Sequence, residues 1–473
     1  MRRFVRENGL CALGAVGASA AMAWIGLYGF GWSDYEVEAL PSLNALTHGH
    51  VLEFLRLAPA YGGSLIERAP FALTPGLWGG GELAVYRMVA LPCLLTAVVL
   101  GVWLCSRLRA MRMPVLWRAV AVGVCVANPI TLAALEQGHP EELLGACLCV
   151  GAVLAAMRGR AVWAGVFLGL AIANKEWALL AVGPVWLALA PARAAEPGGR
   201  GRFRRDWRAW PAIVCAATTA VVAGLILAPL MLVPGGGFAA TAGSVASSHN
   251  EIFQPWQVWW FFGWHGSMVH GLFNAPKPGF RHGPGWVGVV SHPLVVAVGF
   301  ALAGAVWLQR IARERRIAAE RTGATRTAAA KPLSAADPAP TDPTRRGRDA
   351  LLTLALVLLL RCVLDSWDIG YYLLPCSIAM VVWETIGERR APALTIAALI
   401  APWVALEQLA ERGLRPDAQS ALFLAWTLPL AAYLALALYA PGVGAQLHAR
   451  VRARMRARQE TTVSSVGSPV STS

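Results

Sequence analysis

Long apolar runs separated by short polar clusters repeat along the whole chain. Several runs reach the ~20 residues that a helix needs to cross a hydrocarbon core. Inside that core every backbone N–H and C=O must be satisfied within the segment, so runs of this length read as helices. The pattern predicts an all-α polytopic membrane protein of about 12 transmembrane helices. Span 1 is expected over roughly 9–31, span 2 over 83–106, span 3 over 115–133 ending at Asn128-Pro129, and span 4 over 141–157. Span 7 follows at about 211–233, span 8 at 286–308, span 9 at 349–364 and span 10 at 371–387, with two more before the C-terminus.

The segment 161–190 is constrained from both sides. Its flanks, Arg158/Arg160 and the basic stretch Arg193 to Arg208, both carry the charge expected of cytoplasmic loops. It must therefore cross an even number of times in about thirty residues, too few for two full spans. Two short helices meeting near Asn174-Lys175-Glu176 satisfy both demands, with those polar residues at the outer side.

The polar stretches divide the chain. Residues 1–308 form a transmembrane module with outer loops 32–82 and 234–285. Residues 309–348 are rich in Arg, Ala, Pro, Thr and Asp and predict a disordered basic cytoplasmic linker. Residues 349–445 hold the C-terminal helices, and 446–473 a basic, disordered cytoplasmic tail. Arg2, Arg3 and Arg6 before Ala18-Ser19-Ala20 resemble a cleavable signal peptide. The apolar run continues through Ile25-Gly26-Leu27-Tyr28 to Trp32, too long for such a core, and favours an uncleaved span.

Composition sharpens this picture. Of 473 residues 56% are hydrophobic and 14% charged, against roughly 25% charged in ordinary soluble domains. The net charge of +14 lies in short Arg/Lys clusters between apolar runs, which reads as positive-inside topology rather than nucleic-acid binding. Both termini are then cytoplasmic. Asp34, Glu36, Glu38, Glu53, Glu67, Glu136, Glu141, Glu142, Glu251, Asp365 and Asp368 all fall at the outer side, so the polar chemistry faces outward. The nine Cys sit almost entirely in apolar runs without a CxxC pair and read as small core residues, not disulfides or metal ligands.

Five places carry candidate chemistry. Trp32-Ser33-Asp34-Tyr35-Glu36-Val37-Glu38 sets carboxylates where span 1 leaves the membrane. They suit either a helix cap or a general base acting on a hydroxyl nucleophile. In Gln137-Gly138-His139-Pro140-Glu141-Glu142, the i, i+3 spacing of His139 and Glu142 admits a metal pair. A polar helix start at Pro140, or a histidine hydrogen-bonding a phosphate or sugar, are the alternatives. Lys175 in an apolar hairpin is either a snorkelling side chain or a functional cation. Arg361 stands one turn before Asp365, as an i, i+4 salt bridge or a cation for an anionic headgroup. The aromatic run from Phe253 to His265 predicts a helix lying in the outer interface, flanking a lateral entrance for a lipid.

In order along the chain, these motifs resemble the GT-C superfamily of membrane glycosyltransferases. The closest likeness is to the polyprenyl-phosphate-mannose-dependent mannosyltransferases of glycosyltransferase family 87. The residues that carry it are Asp34-Tyr35, Leu46-Thr47-His48-Gly49, Asn128-Pro129, Gln137-Gly138-His139-Pro140, Ala164-Gly165, Gly169-Leu170-Ala171, Lys175, Asp368, Tyr371-Tyr372 and Pro375. Tyr61-Gly62-Gly63 stands where many relatives carry a Tyr-Pro-Pro-like segment.

The resemblance implies a GT-C-like helix bundle with short outer-face interfacial helices. It implies an inverting transferase at the outer face of a bacterial plasma membrane, with a polyprenyl-phosphate sugar as donor. The acceptor would be an envelope glycan, glycolipid or protein. Asp34 would be the general base with Glu36 in reserve, and Lys175, Arg361 and His139 would hold the donor phosphate. His48, Gln137, Glu142, Asp368, Tyr371 and Tyr372 would contact sugar or acceptor. Mannose is the family default, with arabinose and other pentoses open, and no cofactor beyond the lipid-linked donor is implied. A secondary transporter or lipid flippase is the main rival, but it predicts internal repeats and mid-span ionisable residues that the chain does not display. A non-catalytic scaffold of an envelope assembly would look much the same in sequence.

Overall fold

The apolar runs fold as helices, and the polar residues between them gather at helix ends. The computed structural model describes residues 2–28, 34–189, 210–238, 253–270, 275–324, 343–367 and 369–440. Helix α1 (Arg2–Gly26) leads into a wide π turn (Tyr35–Ala39) and three short helices, α2 (Leu40–Thr47), α3 (Val51–Leu57) and α4 (Gly62–Ala72). The long α5 (Glu82–Ala110) is followed by α6 (Val115–Val126) and α7 (Pro129–Glu136). Between α6 and α7 Asn128 breaks the run, its side chain accepting from Thr131 N at 2.9 Å while its amide donates to Val124 O at 2.8 Å. Then come α8 (Glu141–Met157), α9 (Ala161–Asn174), α10 (Val182–Leu189) and α11 (Trp210–Leu232). The C-terminal part contains α12 (Gly285–Ala324), α13 (Pro343–Leu364), α14 (Leu373–Val382), α15 (Ala393–Pro402) and α16 (Pro416–Tyr439).

Among the described residues 7 helices are long and apolar enough to cross a membrane: Gly9–Gly26, Glu82–Ala110, Val115–Glu136, Trp210–Leu232, Gly285–Arg316, Ala393–Glu411 and Pro416–Tyr439. The other expected spans fall on α8, α9, α10, α13 and α14, which are shorter or carry more charge. The hairpin over 161–190 folds as two short helices that meet at Asn174-Lys175-Glu176.

Helix α8 is the hub. It packs against α5, α9, α10, α13 and α14 and is buried along almost its whole length. A helix apolar on every face belongs in the interior of a bundle. Its small residues Gly145, Ala146, Ala152, Ala155 and Ala156 let neighbours approach closely. On α9, Gly165 and Gly169 lie against α11, where added Cβ atoms would stand 2.6 Å from Cys215 O and 2.8 Å from Val222 Cβ. That is the small-xxx-small packing of helices that lack a hydrophobic drive to associate. Large apolar side chains such as Leu10, Trp24, Leu225, Met231 and Leu308 point outward, as expected where the surrounding solvent is lipid.

Two expectations are corrected. The segment 309–348 is not one disordered linker, because α12 runs on to Ala324 and α13 begins at Pro343. Ala and Arg are strong helix formers, and a run rich in both extends a helix past the apolar zone. Its middle lies outside the described residues, as do the tail and the stretch Arg193 to Arg208. The aromatic run from Phe253 is not an interfacial helix. Among the described residues it contains only the short turn Trp260–Phe262 and one side of an isolated bridge, Trp264 to His282, and it is followed by the two-residue strands Val269–His270 and Pro276–Lys277. Phe253 and Trp260 are buried by tertiary contacts, while Phe261, Phe262 and Trp264 remain exposed. Trp260 donates to Asp417 Oδ1 at 2.7 Å, and Arg281 grips the same carboxylate at 2.8 and 2.9 Å, tying the segment to the start of α16.

Candidate functional site

Residues from six parts of the chain, most of them at helix ends, converge in one cluster. The meeting point is the turn Gln137–Pro140, which starts α8 and sets Glu141 and Glu142 in the helix's first turn, both fully buried. Carboxylates are stabilised there by the helix N-terminus. Gly138 takes φ +93°, and a Cβ on it would fall 2.5 Å from Tyr35 N. Only glycine lets the two strands of chain come this close, and the contact carries a backbone hydrogen bond from Asp34 N to Gln137 O at 3.1 Å.

The result is a chain of ion pairs. His139 Nε2 lies 3.1 Å from Asp34 Oδ2, and its Nδ1 lies 2.6 Å from Glu141 Oε1. A doubly protonated imidazole donates to both. Burial and the Lys175 ammonium disfavour that charge, yet the carboxylates of Glu141 and Asp34 outweigh them and raise the pKa to about 9. Lys175 Nζ stands 2.9 Å from Glu142 Oε1 and 3.4 Å from Glu141 Oε1. Arg361 Nη2 reaches the same Glu142 oxygen at 3.6 Å, and Arg68 Nη2 reaches Glu141 Oε2 at 3.4 Å. Buried charges persist only when paired like this.

Aromatic rings wall the cluster. His139 stacks on Tyr371 with centroids 4.8 Å apart and meets Tyr61 edge-on at 5.5 Å. The Arg361 guanidinium lies 4.1 Å above the Tyr372 ring and 5.0 Å from the Trp177 ring, while Lys175 Nζ is 5.2 Å from the Tyr61 ring. A close approach also seats Tyr61 and Arg68, because an added Cβ on Gly63 would lie 2.0 Å from Ala173 O, just before Asn174 and Lys175. Burial pushes the Glu38 carboxyl upward. The His139 charge opposes that shift, and Asp34 adds to it. Asp34 is the open member of the set: its side chain is 24% exposed, against 0–8% for Glu141, Lys175 and Arg68.

Asp34, His139, Glu142, Lys175, Arg361, Tyr371 and Tyr372 are thus brought together. Gln137 contributes its backbone carbonyl. Glu36 makes no hydrogen bond or ion pair among the described residues, since the π turn directs Glu38 rather than Glu36 toward His139. His48 makes no contact with the cluster among the described residues: it is exposed, and its Nδ1 sits 2.8 Å from Asn44 O at the end of its own helix. Asp368 lies outside the described residues.

Three readings of single residues also change. Lys175 is buried rather than snorkelling. Arg361 turns to Glu142 instead of bridging Asp365, whose carboxylate faces His292 Nε2 at 3.2 Å. His139 and Glu142 do not face each other as a metal pair, because each is taken by another partner.

Arg68, Glu141, Glu38, Tyr61, Trp177 and His292 belong to the site or its border without having been singled out for it. Glu141 hides behind helix periodicity, which permits only one of two adjacent residues to face a site, whereas at a helix start both do. Arg68 carries one usable sign, an arginine in the otherwise apolar face of a short helix.

The cluster can orient a partly exposed carboxylate and present preorganised cations beside it. Compared with family models, with curated proteins and with solved structures, the chain finds no match.

Proposed function

We propose that this chain is an inverting glycosyltransferase that uses a polyprenyl-phosphate sugar at the outer face of a bacterial plasma membrane. In this reading about 12 helices cross in a GT-C-like arrangement, with both termini cytoplasmic. The observation that carries it is the convergence of Asp34 with His139, Lys175 and Arg361 in one cluster at the ends of helices. A base and several cations side by side are what transfer from a phosphate leaving group requires.

The acceptor hydroxyl gives its proton to Asp34 as its oxygen attacks the anomeric carbon. The bond from that carbon to the phosphate oxygen breaks on the opposite face, so the configuration inverts. The polyprenyl phosphate leaves with its negative charge met by Lys175 and Arg361, while His139 orients Asp34. Of the three tyrosines, Tyr372 is the partly exposed one that a sugar can reach, Tyr371 and Tyr61 back it from within, and Glu142 fixes the two cations. Mannose is the sugar the resemblance favours.

The test is transfer of radiolabelled sugar from a polyprenyl-phosphate donor in membranes containing the wild type, Asp34→Asn or Lys175→Ala. Transfer by the wild type, its loss with retained donor binding in Asp34→Asn, and weakened donor binding in Lys175→Ala support the reading. No transfer from a panel of lipid-linked donors overturns it in favour of a transporter.

A further inference from the structure

A helix leaves its last four carbonyls without partners. At the end of Pro343–Leu364, which carries Arg361 in its last turn, the aromatic segment supplies partners to two of them and to the carbonyl of Ser366 just beyond. Val258 N donates to Val363 O at 2.9 Å, Trp259 Nε1 to Leu364 O at 2.7 Å, and the buried Gln257 Nε2 to Ser366 O at 2.7 Å. From the other side, helix α12 presses His292 against Asp365 and sets Ser291 Oγ 3.1 Å from Ser366 Oγ.

The same segment is fixed to the level where α12 enters its apolar run. The Trp259 and Phe262 rings meet Trp286, the second residue of that helix, edge-on at 5.7 and 5.9 Å. Tryptophan favours that boundary, and Phe261, Phe262 and Trp264 are exposed beside it.

We infer that Gln257 and Trp259 are positioning residues for Arg361: the aromatic segment clamps the end of the arginine's helix and fixes its guanidinium over Glu142 and Tyr372. The effect on transfer rests on the proposed function; the clamp itself does not. Trp259→Phe keeps an aromatic ring, smaller by the pyrrole half of the indole, and deletes the donor, and Gln257→Ala deletes the other side-chain donor.

Hydrogen exchange on the full chain in lipid nanodiscs tests the clamp. Each variant is expected to speed exchange of the amides at 361–367 by roughly 3–10-fold, as loss of one hydrogen bond implies. Those at 141–146 stay unchanged. Unchanged exchange at 361–367 in both variants overturns the inference.

Kinetics give the second readout. Trp259→Phe raises the donor KM roughly 3–10-fold with kcat within about twofold. Adding it to Arg361→Lys costs nothing further, because Trp259 acts through Arg361. A multiplicative loss in the double variant overturns the inference. If the wild type transfers no sugar, the transferase reading fails and exchange alone decides the clamp.

Discussion

His139 meets Asp34 at 3.1 Å across 105 residues of chain, and this contact orients a carboxylate whose side chain is 24% exposed and open to a substrate. The proposed chemistry depends on that carboxylate and not on its neighbour two residues on. Asp34→Asn is expected to lower the rate of sugar transfer by roughly 10²–10⁴-fold, the usual range for losing a general base. Glu36→Gln should stay close to the wild type. Initial rates in membranes with a labelled donor decide between them.

The pH dependence of stability follows from the same imidazole. Its pKa is raised to about 9 in the folded protein, above the ~6.5 of an unperturbed histidine. A raised pKa means that its ion pairs contribute fully below about pH 6.5 and fade as pH rises through about 9. The melting temperature in detergent should therefore fall across that window. In His139→Gln the fall should be shallower, and an identical slope would show that the imidazolium is not the group responsible.

Lys175 is the nearest cation to the fully buried Glu142, at 2.9 Å, so removing it leaves that carboxylate with only the longer Arg361 contact at 3.6 Å. Lys175→Met is expected to destabilise the protein by ~3–5 kcal/mol, the cost of breaking a buried pair from one side. Combining it with Glu142→Gln removes the under-compensated carboxylate and should recover part of the melting temperature, with Arg361 left to its stacking on Tyr372. Donor binding should not return with it, which separates the structural from the binding contribution of the ammonium.

Gly138 is a backbone requirement of the site. With φ at +93° and Tyr35 N 2.5 Å from where a Cβ would sit, Gly138→Ala must both strain the turn and push Asp34 away from His139. A loss of roughly 1–3 kcal/mol in stability is expected, together with a loss of transfer. Thermal melts read alongside transfer rates would show whether the turn serves the carboxylate or only the fold.

What sequence could reveal depended on whether a residue's partner was local. Helix positions and the 161–190 hairpin follow from apolar run length and charge parity, which are properties of the segment alone. Lys175 and Arg361 stood out because an ionisable group in an apolar run is costly wherever its partner lies. Their partners did not: that Arg361 would choose Glu142 over Asp365, four residues away, depends on how α8 and α13 pack. Arg68 and Glu141 pair across 73 residues and leave no periodic trace. The aromatic run does not form the helix it predicts, because ring density marks an interface without specifying its backbone. Its actual conformation is set by carbonyls at the end of another helix.

The orientation of the whole bundle can be tested without any substrate. The proposed topology puts the short helices after α1 outside and the Arg107–Arg112 turn inside, because the basic clusters mark the cytoplasmic face. Leu77 is 85% exposed in the outer stretch, and Arg109 is exposed at the end of α5. All nine native cysteines are free, and none is more than partly exposed, so single added thiols should report above a low background. In intact cells a membrane-impermeant maleimide should label Leu77→Cys and should reach Arg109→Cys only after permeabilisation. The opposite pattern would place Asp34 on the cytoplasmic side, where an outward-facing lipid-linked donor could not meet it.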